Sequence, residues 1–519
     1  MTAFESSVEW VRFGGQFAAP AATTGDGATT IDNDTSDGDH PPQPPHTGNP
    51  PTGMTATSSD LAPLDGWAAV IFAAGRGTRM RSSLPKVLHP VAGRTMLSLI
   101  RHSLQAAGFT QIVVVTPDQD GPVAQAALNG GAPVTQIAVQ AEPLGTANAA
   151  LAVRPLVEDA SKLLFLNSDQ PLFRPQTLRN IAEQHEQSAE PLTFLTALLA
   201  DPAGFGRVQR RDGRLQGVVE HIEADAVARG APEVNAGAYA IDAAWLWPAL
   251  EGLPPGEVSG ERYLTSVIER AVADGGAQTY QLQEPSEVQH VSTREDLAEA
   301  ERIMRERMRH ELMAQGVTLI DPATTYIDVG VEIAADTVIE PGVHLRGATT
   351  IGSNCQIGPS AILRDMQVGS GCIVGSSTLE GSTLEDDVTV GPYCHIRAGT
   401  TVESNVRLGN YVEVKASRLG SRTRIGHFAY IGDAEIGADV NVGAGTVTVN
   451  YDGETKHRTQ IGDGAFIGSD SMLIAPLEIG ERASTAAGSV VTHDVPAEGA
   501  VRGVPARPDD EAKRGSEKA

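Results

Sequence analysis

Cysteine, aromatic residues, positive charge and long apolar runs are all scarce in this 519-residue chain, and each scarcity excludes something. The three cysteines, Cys355, Cys372 and Cys394, cannot all pair, which rules out a disulfide framework and points to a reducing, cytoplasmic setting. Aromatics make up 4% of the chain, and 39 Lys and Arg face 65 Asp and Glu, for a net charge of −26. Nucleic acid or an anionic membrane surface calls for a basic face, so neither is expected as the main partner. Small anionic substrates are still allowed, because a few local Arg and Lys can hold a phosphate inside an acidic protein. No apolar run is long enough to span a bilayer. The opening "MTAFESSVEWVRFGG" has acids and no apolar h-region, so it does not read as a signal peptide.

Composition divides what remains. Residues 1–65 are rich in Thr, Asp, Gly and Pro and hold too little apolar surface to offset chain entropy, so a disordered extension is expected there. His40 and His46 lack any partner at ligand spacing. From 66 to 292 the pattern is α/β. "WAAVIFAAG" and "KLLFLNSD" are short apolar runs ending in Gly or Asp, as buried parallel strands with site-forming loops at their C-terminal ends look. "RTMLSLIRHSLQAAGF" has helical spacing and a Gly stop. A charged amphipathic linker helix is expected within 293–318, with Thr293 as its cap.

From 319 to 505 the chain is a repeat array. Ile333, Ile339, Leu345, Ile351, Ile357 and Leu363 fall at a spacing of six, and the beat restarts several times before running through Ile461, Ile467, Leu473, Ile479 and Thr485. Gly often follows the aliphatic residue, as in "IGSNCQ" and "IGERAS". A six-residue period predicts a parallel β-helix of stacked coils, with the three cysteines as small core residues. A flexible tail is expected over 506–519. One stretch breaks the beat: "VTVNYDGETKHRTQ", from Val447 to Gln460, is too polar to stack as a coil.

The loop "FAAGRGTRMRSSLPK" after the first strand pairs two glycines, Gly75 and Gly77, with Thr78, Arg79 and Lys86 as donors and cations. It fails both the dinucleotide fingerprint and the P-loop pattern. Gly-x-Gly-Thr-Arg followed by Pro-Lys is more specific, and with the hexad array it resembles the bacterial bifunctional UDP-N-acetylglucosamine pyrophosphorylase / glucosamine-1-phosphate N-acetyltransferase family over roughly 67–505. That resemblance implies a Rossmann-like mixed sheet carrying a uridylyltransferase, then a linker helix and a left-handed parallel β-helix carrying an acetyltransferase. It also implies a homotrimer that uses UTP, N-acetylglucosamine-1-phosphate, glucosamine-1-phosphate and acetyl-CoA, with Mg²⁺. By the same resemblance Phe72, Ala73, Ala74, Gly75, Arg79 and Lys86 would cradle the triphosphate, with Arg79 and Lys86 catalytic. Gln140, Gly145 and Thr146 would read the uracil, and Gly206, Glu220 and Asn235 would hold the sugar. Asp169 in "NSDQPL" looks like the family's Mg²⁺ carboxylate. The chain departs from the family at Ser168, Ile222, Pro143 and His290, and at Ser292, where the family has a metal-binding Asn; a Ser ligates Mg²⁺ less well.

In the repeat region the resemblance makes His427 the base that accepts a proton from the substrate amine, a task suited to His near neutral pH. Arg397, Lys415, Tyr430 and Asn441 would bind the sugar phosphate. Ala444, Asn450, Tyr451, Lys456, Ser469, Ala487 and Arg502 would line acetyl-CoA, with Gly503 in the register where the family has its last cofactor Arg. The broken stretch would then be a loop reaching toward a neighbouring subunit. Two alternatives are a monofunctional acetyltransferase with a degenerate first domain, which Ser292 and Ile222 favour, and a non-catalytic trimeric scaffold. The full set of polar residues on the coils speaks against the scaffold.

Overall fold

The computed structural model describes residues 61–508 apart from Arg76, 130–134, Pro143 and 257–259. His40, His46, most of the expected extension, the tail from 509 and the Pro143 departure therefore lie outside the described residues. Packing begins before 66: Leu64 is buried beside Trp67 and its N–H donates to Gly108 O at 2.9 Å. An apolar side chain that can reach the first core is drawn into it, whatever the composition around it.

The first region is built on a mixed sheet. In spatial order its main path runs Gln278–Gln281, Leu192–Leu198, Glu233–Asp242, Lys162–Asn167, Trp67–Phe72, Ile112–Thr116 and Thr135–Val139, and the hairpin Arg207–Arg211 and Arg214–Val219 branches from Glu233–Asp242. Trp67–Phe72 lies parallel to both of its neighbours, while Glu233–Asp242 runs antiparallel to the strands that flank it. The two runs read as buried parallel strands thus pair with each other, Ala69 opposite Leu164. The helix Met96–Ala106 is capped by Thr95, whose hydroxyl accepts from Ser98 N–H. Helices on both faces bury the strands, which explains their unbroken apolar character.

The helix Arg294–Ala314 follows, and Thr293 and Asp296 form a reciprocal capping box at its start. It joins the first sheet to a three-sided column. From Thr318–Leu319 to Met472–Ile474 each strand pairs in parallel with the third strand after it, in sheets of twelve, ten and nine strands, one per side. Ile333, Ile339 and Leu345 lie on three different sides, and each stacks on the matching residue of the next coil. Their side chains fill one continuous core that also takes in Cys355, Cys372 and Cys394. Each buried Ile or Leu contributes about 1.5–3 kcal/mol of apolar burial, so the column is held by its repetition rather than by any single contact. The array does not stop at 505: Ala506–Pro508 folds back antiparallel on Ala500–Gly503, which occupies the last backbone donors and acceptors of that side.

Three of the restarts in the beat share a cause. Leu363 to Val368, Val414 to Leu419 and Ile431 to Ile436 are steps of five at the same corner of the column. There Asp365, Ala416 and Asp433 take left-handed backbone angles, with φ of 52°, 46° and 51°, and turn the chain with one residue fewer.

Candidate active sites

The first site follows from the sheet. Strands Trp67–Phe72, Ile112–Thr116 and Lys162–Asn167 point their C-terminal ends the same way, and a crevice opens beyond them, where α/β sheets place ligands. The crevice holds about 760 Å³. Phe72, Ala74, Gly75, Arg79 and Lys86 line it from the phosphate loop, and Gln140, Gly145, Thr146, Asp169, Gly206, Glu220, Asn235 and Ser292 from the rest of the domain. Ala73 does not reach it: its N–H still donates to Val115 O at 2.9 Å, because the sheet ladder runs one residue past Phe72. Ile222 is exposed and off the crevice wall.

Gly77 is what lets the loop close. Its φ is +58°, and a Cβ there would lie 2.6 Å from the Cβ of Lys86. Lys86 is thereby brought to Asp169, with Nζ to Oδ2 at 2.7 Å. Asp169 is tied in turn to the segment carrying Ser292, since Val291 N–H donates to Asp169 O at 2.8 Å. Ser292 is buried, and its own N–H donates to Asp296 Oδ2 at 2.9 Å, so the linker helix's capping box fixes its position. Among the described residues no three His, Cys, Asp or Glu side chains cluster as a ready-made metal cage. Asp169 and Ser292 both face the crevice, with the Asp169 carboxylate paired to Lys86.

Glu220, Asn235 and Gln140 are held by partners that sequence reading did not find. Thr265 Oγ1 donates to Glu220 Oε1 at 2.7 Å. Burial pushes the Glu220 carboxyl above its ordinary range, against the pull of that hydrogen bond. Asn235 Nδ2 donates to the Tyr239 hydroxyl at 2.6 Å while its Oδ1 accepts from Gly237 N–H at 3.2 Å, which fixes the carboxamide. Gln140 Nε2 donates to Gly145 O at 2.9 Å. His290, where the family has Gly, stands edge-on to Phe205 with ring centroids 4.9 Å apart on the crevice wall.

On the column the expected residues separate into two groups. His427 heads one vertical row, because the turns Phe428, Gly445, Asp470 and Gly488 each donate backbone N–H to the coil before, at Asn410, His427, Ala444 and Ser469. Ala444 and Ser469 therefore stack above His427. Extending the register through Thr485 opposite Val501 places Ala487 opposite Gly503. Arg502 falls one residue to the side, in a hairpin opposite Arg507. Asn410 was missed in the sequence; its Oδ1 meets His427 Nδ1 in a short hydrogen bond. An amide oxygen only accepts, so Nδ1 is the donor in that contact. Asn441 sits on the same side as this row, in line with Arg424 and Phe466.

The second group lies at the other end of the strands. Arg397 and Lys415 occupy successive coils of one row, and Arg397 pairs with Glu413 at 2.9 Å. Lys456 beside Lys415 pulls the Lys415 ammonium below the usual lysine range, and Arg397 acts in the same direction. Three cations crowded together are costly to each other, and an anion relieves the cost. Tyr430 and Asn450 close the group: Asn450 Nδ2 donates to Asp433 Oδ2 at 2.5 Å and approaches the Tyr430 hydroxyl at 3.5 Å. Asn450 and Lys456 thus sit with Tyr430 and Lys415 of their own chain, and not on the Ala444 row. Between them runs the broken stretch. Where the preceding coil turns on Asp433 alone, residues 450–458 leave the column as a loop. Asp452 Oδ1 accepts from Glu454 and Thr455 N–H at 2.8 Å each, and Asp452 Oδ2 lies 2.6 Å from His457 Nε2. Tyr451 is left 56% exposed near its tip.

Both halves match known families. Residues 69–231 match the MobA-like NTP transferase domain, 330–365 and 381–416 the bacterial transferase hexapeptide, and 458–493 the hexapeptide repeat of succinyl-transferase. The bifunctional protein GlmU of Brevibacillus brevis is 42% identical over 82% of this chain and 93% of its own. The bifunctional proteins GlmU of Heliobacterium modesticaldum, at 41% over 83% and 93%, and of Streptococcus agalactiae serotype V, at 42% over 82% and 93%, are similar to the same extent. The chain belongs to the GlmU family. As a GlmU it is a bifunctional transferase of UDP-N-acetylglucosamine biosynthesis, a nucleotidyltransferase followed by a hexapeptide acetyltransferase. No helix among the described residues is long and apolar enough to cross a membrane.

Proposed function

We propose that the β-helix transfers the acetyl group of acetyl-CoA to glucosamine-1-phosphate, and that the first domain then joins N-acetylglucosamine-1-phosphate to UTP with release of pyrophosphate. In the first domain Lys86 and Arg79 meet the triphosphate. Asp169 and Ser292 would hold Mg²⁺, which neutralises charge on the phosphates; the remaining work is positioning. Glu220 and Asn235 take the sugar, their side chains already fixed by Thr265 and Tyr239. On the column, His427 Nε2 accepts the amine proton as nitrogen attacks the thioester carbonyl and CoA sulfur leaves. Arg397, Lys415 and Lys456 receive the sugar's phosphate.

The observation that carries the reading of the second site is the separation within one chain. The loop with Tyr451 and the row headed by His427 stand at opposite ends of the same strands, so a loop this exposed serves the His427 row of a neighbouring subunit in a homotrimer. Co-expressed His427→Ala and Tyr451→Ala chains test this. Each alone should lose acetyl transfer, by roughly 10²–10⁴-fold for the base. Mixed trimers should regain part of it, because some sites combine two intact contributions. No recovery on mixing would mean that the loop serves its own chain.

A further inference from the structure

We propose that Asn410 is the positioning residue of the acetyl-transfer site: its carboxamide oxygen accepts a hydrogen bond from His427 Nδ1, holds the ring in one tautomer and one orientation, and so keeps Nε2 the basic nitrogen. The consequence for catalysis rests on the function proposed above; the tautomer itself does not.

The column is built differently at this place. On the side that carries the His427 row, the strands from Thr318–Leu319 to Ser484–Thr485 are two residues long, except Arg407–Asn410 and Arg424–His427, which run to four. The longer strands set Asn410 directly opposite His427. Gly409 permits this register, because a Cβ there would overlap the carbonyl oxygen of Gly426, the residue before His427. Immediately after the pair, Tyr411 and Phe428 turn the chain with φ of 58° and 48°, left-handed angles that bulky side chains rarely take. Their exposed rings stack nearly parallel, with centroids 5.2 Å apart, which clamps the two turns one above the other. The stack reaches one coil down to Tyr393 and ends at Phe428, since the next turns are Gly445, Asp470 and Gly488.

The tautomer depends on this contact. The His427 ring is exposed, and its hydrogen bond to Asn410 is the only one it makes among the described residues. A free imidazole favours the tautomer with its proton on Nε2, which then has no lone pair to receive another. An acceptor at Nδ1 reverses that preference, and a carboxamide does so without adding a charge. The amide turned the other way would donate to Nδ1 and leave the proton on Nε2, so the position of the proton reads the proposal directly.

The test observes the ring nitrogens of His427 in the full chain, labelled with ¹⁵N-histidine, by magic-angle-spinning NMR at about pH 8.5, where an ordinary His is neutral. Loss of the signal in His427→Ala assigns it. The proton should be on Nδ1 in the wild type and move largely to Nε2 in Asn410→Leu, which removes the acceptor at similar size. In that variant kcat for CoA release should fall roughly ten- to a hundredfold, short of the loss on removing the base itself, with the KM for glucosamine-1-phosphate little changed. Asn410→Asp restores an acceptor and should keep the proton on Nδ1 and release CoA faster than Asn410→Leu. A wild-type proton on Nε2, an Asn410→Leu signal or kcat equal to wild type, or no gain in Asn410→Asp over Asn410→Leu would each overturn the assignment. Undiminished acetyl transfer in His427→Ala would instead remove the base reading and leave the tautomer standing.

Discussion

A single hydroxyl is where the proposed Mg²⁺ site departs from the family. Ser292 stands where the family has Asn, and its backbone is locked by Asp296, so its oxygen cannot be relocated by a small shift of the chain. If Asp169 and Ser292 share the metal with substrate phosphates, Asp169→Asn should abolish uridylyl transfer. Ser292→Asn should lower the Mg²⁺ concentration for half-maximal rate, because an amide oxygen is the better ligand. Both are read from pyrophosphate release across a Mg²⁺ titration. Glu220 bears a different load. Burial raises its folded-state pKa above the unfolded value, so its contribution to stability is fully present below the unfolded pKa and is lost as pH rises through the folded one. Glu220→Gln should therefore raise Tm relative to wild type near pH 7 and leave it unchanged below about pH 4, where both forms are neutral. Equal Tm differences at both pH values would contradict the burial account.

At the scale of elements, the period of six was legible because a β-helix repeats one inward position per side, and any polar residue there would be stranded in the core. The restarts at Val368, Leu419 and Ile436 were visible as irregularities, but their cause was not, since it lies in the backbone angles of Asp365, Ala416 and Asp433. The break at Val447–Gln460 was legible for the opposite reason: its polarity cannot stack. What the sequence could not show is that Asn450 returns to Asp433 and Lys456 to Lys415 of their own chain, or that Asn410 meets His427, because those pairs lie one or more coils apart. In the first domain, the phosphate-loop glycines announced the crevice, whereas Thr265 and Tyr239, far from any motif, gave no signal. The loop's shape depends on Asp452, whose carboxyl is held well below the usual carboxylate range, first by Thr455 N–H. Asp452→Ala should release the loop, raising the KM of acetyl transfer while uridylyl transfer stays at wild-type rate. Matched losses in both activities would point instead to general unfolding.

The whole molecule places two chemistries on one chain, joined by a helix whose cap also fixes Ser292 and whose far end enters the column's core through Leu312. A nucleotidyltransferase region that had lost its function would have no reason to keep phosphate-binding cations, yet Arg79 and Lys86 line the crevice and Lys86 still faces Asp169. The direct test is a pair of assays on one purified sample of the full chain. One follows pyrophosphate release from UTP with N-acetylglucosamine-1-phosphate and Mg²⁺, and the other CoA release from acetyl-CoA with glucosamine-1-phosphate. Both products should appear; CoA release without pyrophosphate at any Mg²⁺ concentration would contradict the bifunctional account.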